Sequence, residues 1–280
     1  MKTIWTKSID NKNQSYLTAA SLDKSGNIYA GTASNILENE AIIHKIDSNG
    51  KILWKTSINS SSNYLDWGRI DSLSADNKGS VYVFAGERAI KISSKTGEYV
   101  WEKRLVDKTA STQEGRFDVS DSGNIYTAFS GTKEIERSYP WHHGTHIAEI
   151  SNTGQTVWMT SINHSEVGDL GRDRLTSIVD IESTKSGIVI AADLEAGELN
   201  NYTAAGSYDG FISRLGKNGS IEWTSFQQKG NPSFHNVRYH DIAVDKRENI
   251  YVLGGGDSVD GGIFDDSTIE GGGFHFVSRF

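Results

Sequence analysis

Apolar and polar residues alternate along most of the chain in runs of five to eight, and the runs return in a fixed order. One run reads Lys51-Ile-Leu-Trp54-Lys-Thr-Ser-Ile58, and it opens the chain as Lys2-Thr-Ile-Trp5-Thr-Lys-Ser-Ile9. It comes back as Gly97-Glu-Tyr-Val-Trp101, Gly154-Gln-Thr-Val-Trp158 and Gly219-Ser-Ile-Glu-Trp223. A period of two is that of half-buried strands, and a recurring aromatic marks an internal repeat. A second run follows a tight polar turn: Gly26-Asn-Ile-Tyr29, Gly79-Ser-Val-Tyr82, Gly123-Asn-Ile-Tyr126, Gly187-Ile-Val-Ile190 and Asn249-Ile-Tyr251. Its turns, such as Asp23-Lys-Ser-Gly26 and Asp76-Asn-Lys-Gly79, have the Asp-to-Gly chemistry of hairpins. A third run precedes each internal Trp strand, for example Ala41–Asp47, Ala89–Ile92, His146–Ile150 and Phe211–Leu215, and Phe274–Phe280 ends the chain. A fourth, less regular strand enters each unit, as at 70–75 and 242–244.

Each unit therefore has four short antiparallel strands: an inner strand, the Tyr-bearing strand, a third strand and an outer Trp strand. The Trp positions 5, 54, 101, 158 and 223 are spaced by 49, 47, 57 and 65 residues. Four strands repeated at this period predict an all-β fold, a five-bladed β-propeller in a single domain over 1–280. The chain starts with an outer strand and stops after a third strand. Residues 2–9 are thus expected to complete the last blade and close the ring, removing its open edges.

Composition agrees. The chain has 280 residues with 29 Gly, 2 Pro and 10% aromatics, suiting many turns and strands. It has no cysteine, which excludes disulfides and thiolate metal sites. A net charge of -8 disfavours nucleic acid. No apolar run approaches the roughly 18 residues of a membrane span, and the N-terminus has no signal-peptide core.

The motif Asp-x-x-Gly-Asn-Ile-Tyr, then Phe-Ile-Ser-Arg with an Asn-Gly turn, then Ile-x-Trp, resembles the bacterial β-propeller repeats named after seven-bladed propellers. Residues Gly79-Ser-Val-Tyr-Val to Thr96-Gly-Glu-Tyr-Val-Trp101 also resemble a PQQ-like repeat. The resemblance covers nearly the whole chain and rests on turn and core residues. It implies a propeller and an extracellular or cell-surface setting, and it carries over no cofactor residues.

The short turns leave on one side and the long irregular connections on the other. Binding residues concentrate in such loops, so function is expected near 59–69, 106–116, 130–145, 163–174, 193–210, 227–239 and 255–273. Three clusters lie there. Trp141, His142, His143 and His146 offer a stacking surface and imidazoles for hydrogen bonds or a metal. Asp257, Asp260, Asp265 and Asp266 alternate with glycines and are candidate Ca²⁺ ligands, although such a loop also serves as a run of Asx turns. Arg69, Arg116, Arg172, Arg174 and Arg238, with Asp71, Asp118, Asp173, His240 and Asp241, recur at the entrance to the inner strands. These pin loops through arginine–carboxylate pairs or form a polar funnel.

The leading expectation is a non-catalytic binding module without a cofactor, recognising a protein. The alternative is a carbohydrate-binding propeller using Trp67, Trp141 and Tyr64 beside Asp66 and Arg69. A second alternative is a glycoside hydrolase with carboxylates at the axis, which needs two of them about 5–10 Å apart.

Overall fold

Every regular element described by the structure, a computed structural model, is a β-strand. It describes residues 3–9, 16–33, 40–59, 70–76, 78–85, 88–105, 112–120, 122–133, 142–162, 176–194, 198–199, 202–203, 208–226, 234–258, 262–264, 267–269 and 272–280. The first set of strands is β1 (Tyr16–Leu22), β2 (Ile28–Ala33), β3 (Glu40–Ile46) and β4 (Ile52–Asn59). The second is β5 (Ser72–Ala75), β6 (Ser80–Ala85), β7 (Arg88–Ser93) and β8 (Tyr99–Arg104). The third is β9 (Thr112–Val119), β10 (Ile125–Lys133), β11 (His142–Ile150) and β12 (Thr156–Ile162). The fourth is β13 (Thr176–Ser183), β14 (Gly187–Leu194), β17 (Asp209–Gly216) and β18 (Ile221–Phe226), with a small hairpin of β15 (Glu198–Leu199) and β16 (Tyr202–Thr203). The last contains β19 (Phe234–Val244), β20 (Ile250–Ser258) and β23 (Gly272–Arg279), with a hairpin of β21 (Gly262–Phe264) and β22 (Ser267–Ile269).

Within each set the strands pair antiparallel in sequence order. The repeat of four-stranded sheets expected from the alternating pattern is therefore present. One parallel bridge, Asp209 with Val237, joins the fourth set to the last. The connection between β6 and β7 is only two residues long, as Gly86-Glu-Arg88 suggests. Most of the expected long connections lie outside the described residues.

Two compact units are present. One is Met1–Gly115 with Asp121–Gly123 and Asn152–Gln155, and the other comprises Arg116–Ser120, Asn124–Ser151 and Thr156–Phe280. The core of the first is built from Tyr29, Ile43, Ile58, Ile70, Val81, Val83, Ile90 and Ile92. The second has clusters around Ile147, Ile178, Ile188, Ile190 and Phe211, around Val189, Ile212, Tyr239, Ile242 and Val252, and around Val237. Strands β2, β6 and β14 are buried on both faces, which explains their unbroken apolar runs, whereas β20 leaves Tyr251 and Leu253 exposed on one face.

In three of the turns before these strands the first residue, an aspartate, ties the turn. Asp23 Oδ1 accepts the N–H groups of Ser25 and Asn27, both at 2.9 Å. Its Oδ2 accepts Asn27 Nδ2 at 2.8 Å and the Tyr29 hydroxyl at 3.0 Å. Burial pushes the Asp23 carboxyl up, but these hydrogen bonds outweigh it and hold the group below its usual range. Asp76 repeats the arrangement with Lys78, Ser80 and Tyr82, and Asp245 with Arg247, Asn249 and Tyr251. The recurring Asp and Tyr are thus two ends of one local device, in which a carboxylate satisfies the turn's N–H groups.

In the first three sets the outer-strand Trp docks on a turn of the next set. Trp54 Nε1 donates to the Ser94 carbonyl at 3.0 Å, Trp101 to Asn152 at 3.0 Å and Trp158 to Lys217 at 2.9 Å. The ring lies over the turn glycine. A Cβ on Gly97 would stand 2.9 Å from the Trp54 ring, and its φ of +78° already disfavours any other residue. Residues 3–9 are assigned no strand, in contrast to the expectation for 2–9. Trp5 nevertheless behaves as the others do: its Nε1 donates to the Ser48 carbonyl at 2.9 Å, and its ring covers Gly50.

Trp54→Ala should lower stability by about 3 kcal/mol, and the melting temperature by roughly 6–12 °C, because it removes a large packed ring and its hydrogen bond. Thermal unfolding followed by circular dichroism checks this. A shift below about 2 °C would show that the docked ring adds little.

Candidate functional site

The inner strands of the second unit carry a chain of carboxylates. Asp118 on β9 accepts the N–H of Val119 at 2.7 Å through Oδ1. Its Oδ2 accepts the N–H of Ser183 at 2.8 Å and the Ser183 hydroxyl. One set further on, Asp180 on β13 accepts the N–H of Ile181 at 2.9 Å and that of Ile242 at 3.5 Å. Asp241 on β19 accepts the N–H of Ile242 at 3.1 Å. Each carboxylate thus ties its own strand, and the first two also reach the following inner strand. A slip in register falls at this level in three inner strands, between Leu17 and Ala19, Ile178 and Asp180, and Tyr239 and Asp241. Such bulges re-aim one side chain without ending the strand.

Glu182 completes the group. Burial pushes its carboxyl up to about 7, with Asp118, Asp180 and Asp241 adding repulsion. Asp180 is also raised, first by burial; the N–H of Ile181 pulls it down, and its hydrogen bond and repulsion with Asp241 raise it again. Two neighbouring acids of this kind hold a proton that an exposed carboxylate would release.

A second arrangement sits where β14 ends and β17 and β19 begin. Asp193 is 5% exposed and accepts the N–H of Tyr239 at 3.1 Å. Burial pushes it up to about 7, against the N–H of Tyr239 and the charge of Arg238, and with the help of Asp209. Asp209 is buried beside it, in the register position next to Leu194. The Arg238 guanidinium lies 3.3 Å from the centre of the Tyr208 ring, a stacked cation–π contact on an exposed side chain. Gly210 accommodates the Tyr239 ring, which would stand 3.0 Å from a Cβ there.

Of the residues singled out from sequence, Asp118, Asp241 and Arg238 are in these arrangements, and Arg116 lies on the same inner strand as Asp118. Arg116 donates through Nε to the Val179 carbonyl at 3.2 Å, a tie to the next inner strand made to a peptide oxygen. His142, His143 and His146 lie in β11 and not in a loop, with His142 paired to Lys133 and His143 to Thr132. The His146 ring packs 5.4 Å from Phe129, its Nδ1 is 2.8 Å from the Ser161 hydroxyl, and burial holds it below the usual range. His240 is exposed on β19, its ring 6.3 Å from that of His275. Asp257 is at the exposed end of β20 and takes a 3.3 Å hydrogen bond from Asn236. Tyr64, Asp66, Trp67, Arg69, Trp141, Arg172, Arg174, Asp260, Asp265 and Asp266 lie outside the described residues. So does Asp173, and Asp180 holds the inner-strand position expected for it. Among the described residues no group of three or more His, Asp or Glu is arranged to hold a metal ion, and no helix is long and apolar enough to cross a membrane. Asp180, Glu182, Asp193, Asp209, Tyr208 and His275 are additions from the structure.

The raised carboxyls set a pH dependence. Their folded pKa values exceed the unfolded values of about 4, so the folded state binds more protons between about 4 and 7. Their contribution to stability is full below about pH 4 and is lost as pH rises through about 7. Asp180→Asn should flatten the decline in urea midpoint between pH 5 and 8. An unchanged slope would show that Asp180 does not titrate in this window.

Residues 39–199 match the family described as outer membrane protein assembly factor BamB. No curated protein matches the chain. Among solved structures, the extracellular domain of BT4673 from B. thetaiotaomicron is similar at 14% identity and a TM-score of 0.47, covering 94% of this chain. The chain spans 27% of the length of that protein. Hsv2 of Kluyveromyces lactis is similar at 8% identity and a TM-score of 0.36, with 87% of this chain and 73% of Hsv2 covered. The four-stranded repeats, their docked tryptophans and a match over more than half of the residues lead to one assignment: the chain belongs to the BamB family of β-propeller repeat proteins.

Proposed function

We propose that the chain is a non-catalytic binding propeller that recognises a protein partner on the side of its long connections. The observation that carries this is the Tyr208–Arg238 pair. An exposed guanidinium stacked on an aromatic ring, at strand ends backed by the buried Asp193, is a pre-ordered contact of the type that dominates protein interfaces. Stacking limits the rotamer freedom that binding would otherwise remove. The family's description as an assembly factor agrees with a non-enzymatic role. The carboxylates of the inner strands favour scaffolding over glycoside hydrolysis, since Asp118 and Asp180 spend both oxygens on backbone N–H groups.

The reading includes five blades in one domain over 1–280, with residues 2–9 as the fifth outer strand, pairing with β23. Register supports it. The residue opposite the outer-strand Trp is Lys45, Lys91, Glu149 and Arg214 in the four complete sets. Each of these also faces the corresponding position of the Tyr-bearing strand, and in the last set that residue is Arg279, opposite Tyr251. The same register sets Trp5 opposite Arg279 and Thr6 opposite Ser278.

Two outcomes follow. In the cysteine-free background, Thr6→Cys with Ser278→Cys should form a disulfide within one chain, read as a faster-migrating monomer on non-reducing gels. Free thiols after oxidation would sink the closure. For function, wild type and the Tyr208→Ala/Arg238→Ala variant are compared in cross-linking capture from envelope extract and on a glycan array. Proteins retained by wild type and lost at least about tenfold by the variant support the reading. Sugar hits lost in the variant would replace it with the carbohydrate-binding alternative, and capture equal for both proteins would remove this pair from the interface.

A further inference from the structure

In the last sheet two imidazoles stand over a glycine. Gly255, in β20, lies between β19 and β23, directly opposite Arg238 on one side and His275 on the other. His240 is the residue at which β19 slips register, so its side chain is swung toward the same place. A Cβ on Gly255 would stand 2.9 Å from His275 Nδ1 and 3.2 Å from His240 Nε2. Two ring nitrogens from different strands therefore converge on one point above a residue that has no side chain. The Phe274 carbonyl oxygen is also 2.9 Å from that point.

We propose that His240 and His275 form a two-imidazole site for a late first-row divalent transition metal, above Gly255. Neutral imidazole nitrogens are ligands of choice for Zn²⁺, Cu²⁺ and Ni²⁺, at about 2.0–2.1 Å for Zn²⁺. The ring centres are 6.3 Å apart, so small rotations about their own side-chain bonds bring both nitrogens onto one ion. Water fills the remaining positions. Asp257, two residues along β20 on the same face, is exposed and adds negative charge. Arg238 is the opposing charge closest in register, but its guanidinium is turned onto the Tyr208 ring. Arg279 donates to the Asn249 side chain at 2.8 Å. The site differs from the histidines of β11, where His146 is engaged with Ser161 and Phe129.

The test is titration of the whole chain with Zn²⁺ at pH 7.5, by calorimetry and by backbone amide spectra. One ion should bind per site with shifts at the Gly255 and His275 amides. His240→Ala and His275→Ala should each weaken binding at least about tenfold, whereas His143→Ala should not. Gly255→Ala sets a methyl group against both ring nitrogens and should abolish binding; His275→Gln, which keeps the size of the side chain, guards against a folding defect. No saturable shift at Gly255 up to millimolar Zn²⁺, or affinity unchanged in both alanine variants, overturns the proposal.

Discussion

The contact on which the rest depends is the indole of each outer strand lying on the next turn. A single four-stranded sheet has two faces to cover and two edges to guard. The tryptophan deals with the outermost part of this problem, where the strands diverge and packing is thinnest. Its ring needs the flat space over a glycine, and its N–H needs a carbonyl that the turn itself leaves open. Two residue types separated by some forty to sixty positions are therefore constrained together. The threonine two residues after the ring strengthens the link in two cases, Thr56 to the Gly97 carbonyl and Thr160 to that of Gly219, each at 2.6 Å.

Toward the inner strands the ties change from aromatic to ionisable. Carboxylates that accept peptide N–H groups link successive strands, and buried acids around them keep protons. The same unit contains an opposite case. Glu248 is held down to about 2, first by the Ser186 hydroxyl and then by Arg214, in spite of a small desolvation effect. Arg214 reaches Glu248 at 2.6 Å and Glu222 at 3.3 Å. Acids of one chain are thus pushed in opposite directions, up where burial dominates and other acids add to it, down where a hydroxyl and a guanidinium donate to the carboxylate.

Local features were legible from the residues. The Asp turn and the Tyr six positions later are neighbours in sequence, so the strand and its hairpin could be read together. The recurrence of the tryptophans was legible, but the turns on which they dock were not. Asp180 was missed because Ile178-Val-Asp180 lacks the arginine that precedes Asp71 and Asp118, and a one-residue bulge hides the spacing. Arg238 was found, but not its stacking on Tyr208, since the contact joins residues thirty positions apart with no repeat to relate them. His275 looked like an ordinary strand residue, and only the approach of its ring to His240 over Gly255 draws attention to it. The three histidines before Ile147 read as loop because glycine and proline surround them, yet the ladder with β10 extends through all three.

The tryptophan contact also has a direction. The rings of Trp5, Trp54, Trp101 and Trp158 all point the same way along the chain, each lying on a turn of the set that follows it. Such a head-to-tail rule makes the repeat, rather than the strand, the smallest unit that can be added or lost without stranding a ring. Duplication of one whole unit leaves all existing partnerships intact and creates one new pair. Insertion of half a unit separates a ring from its turn. Growth of the array by copying complete repeats is thus built into the geometry of a single side chain.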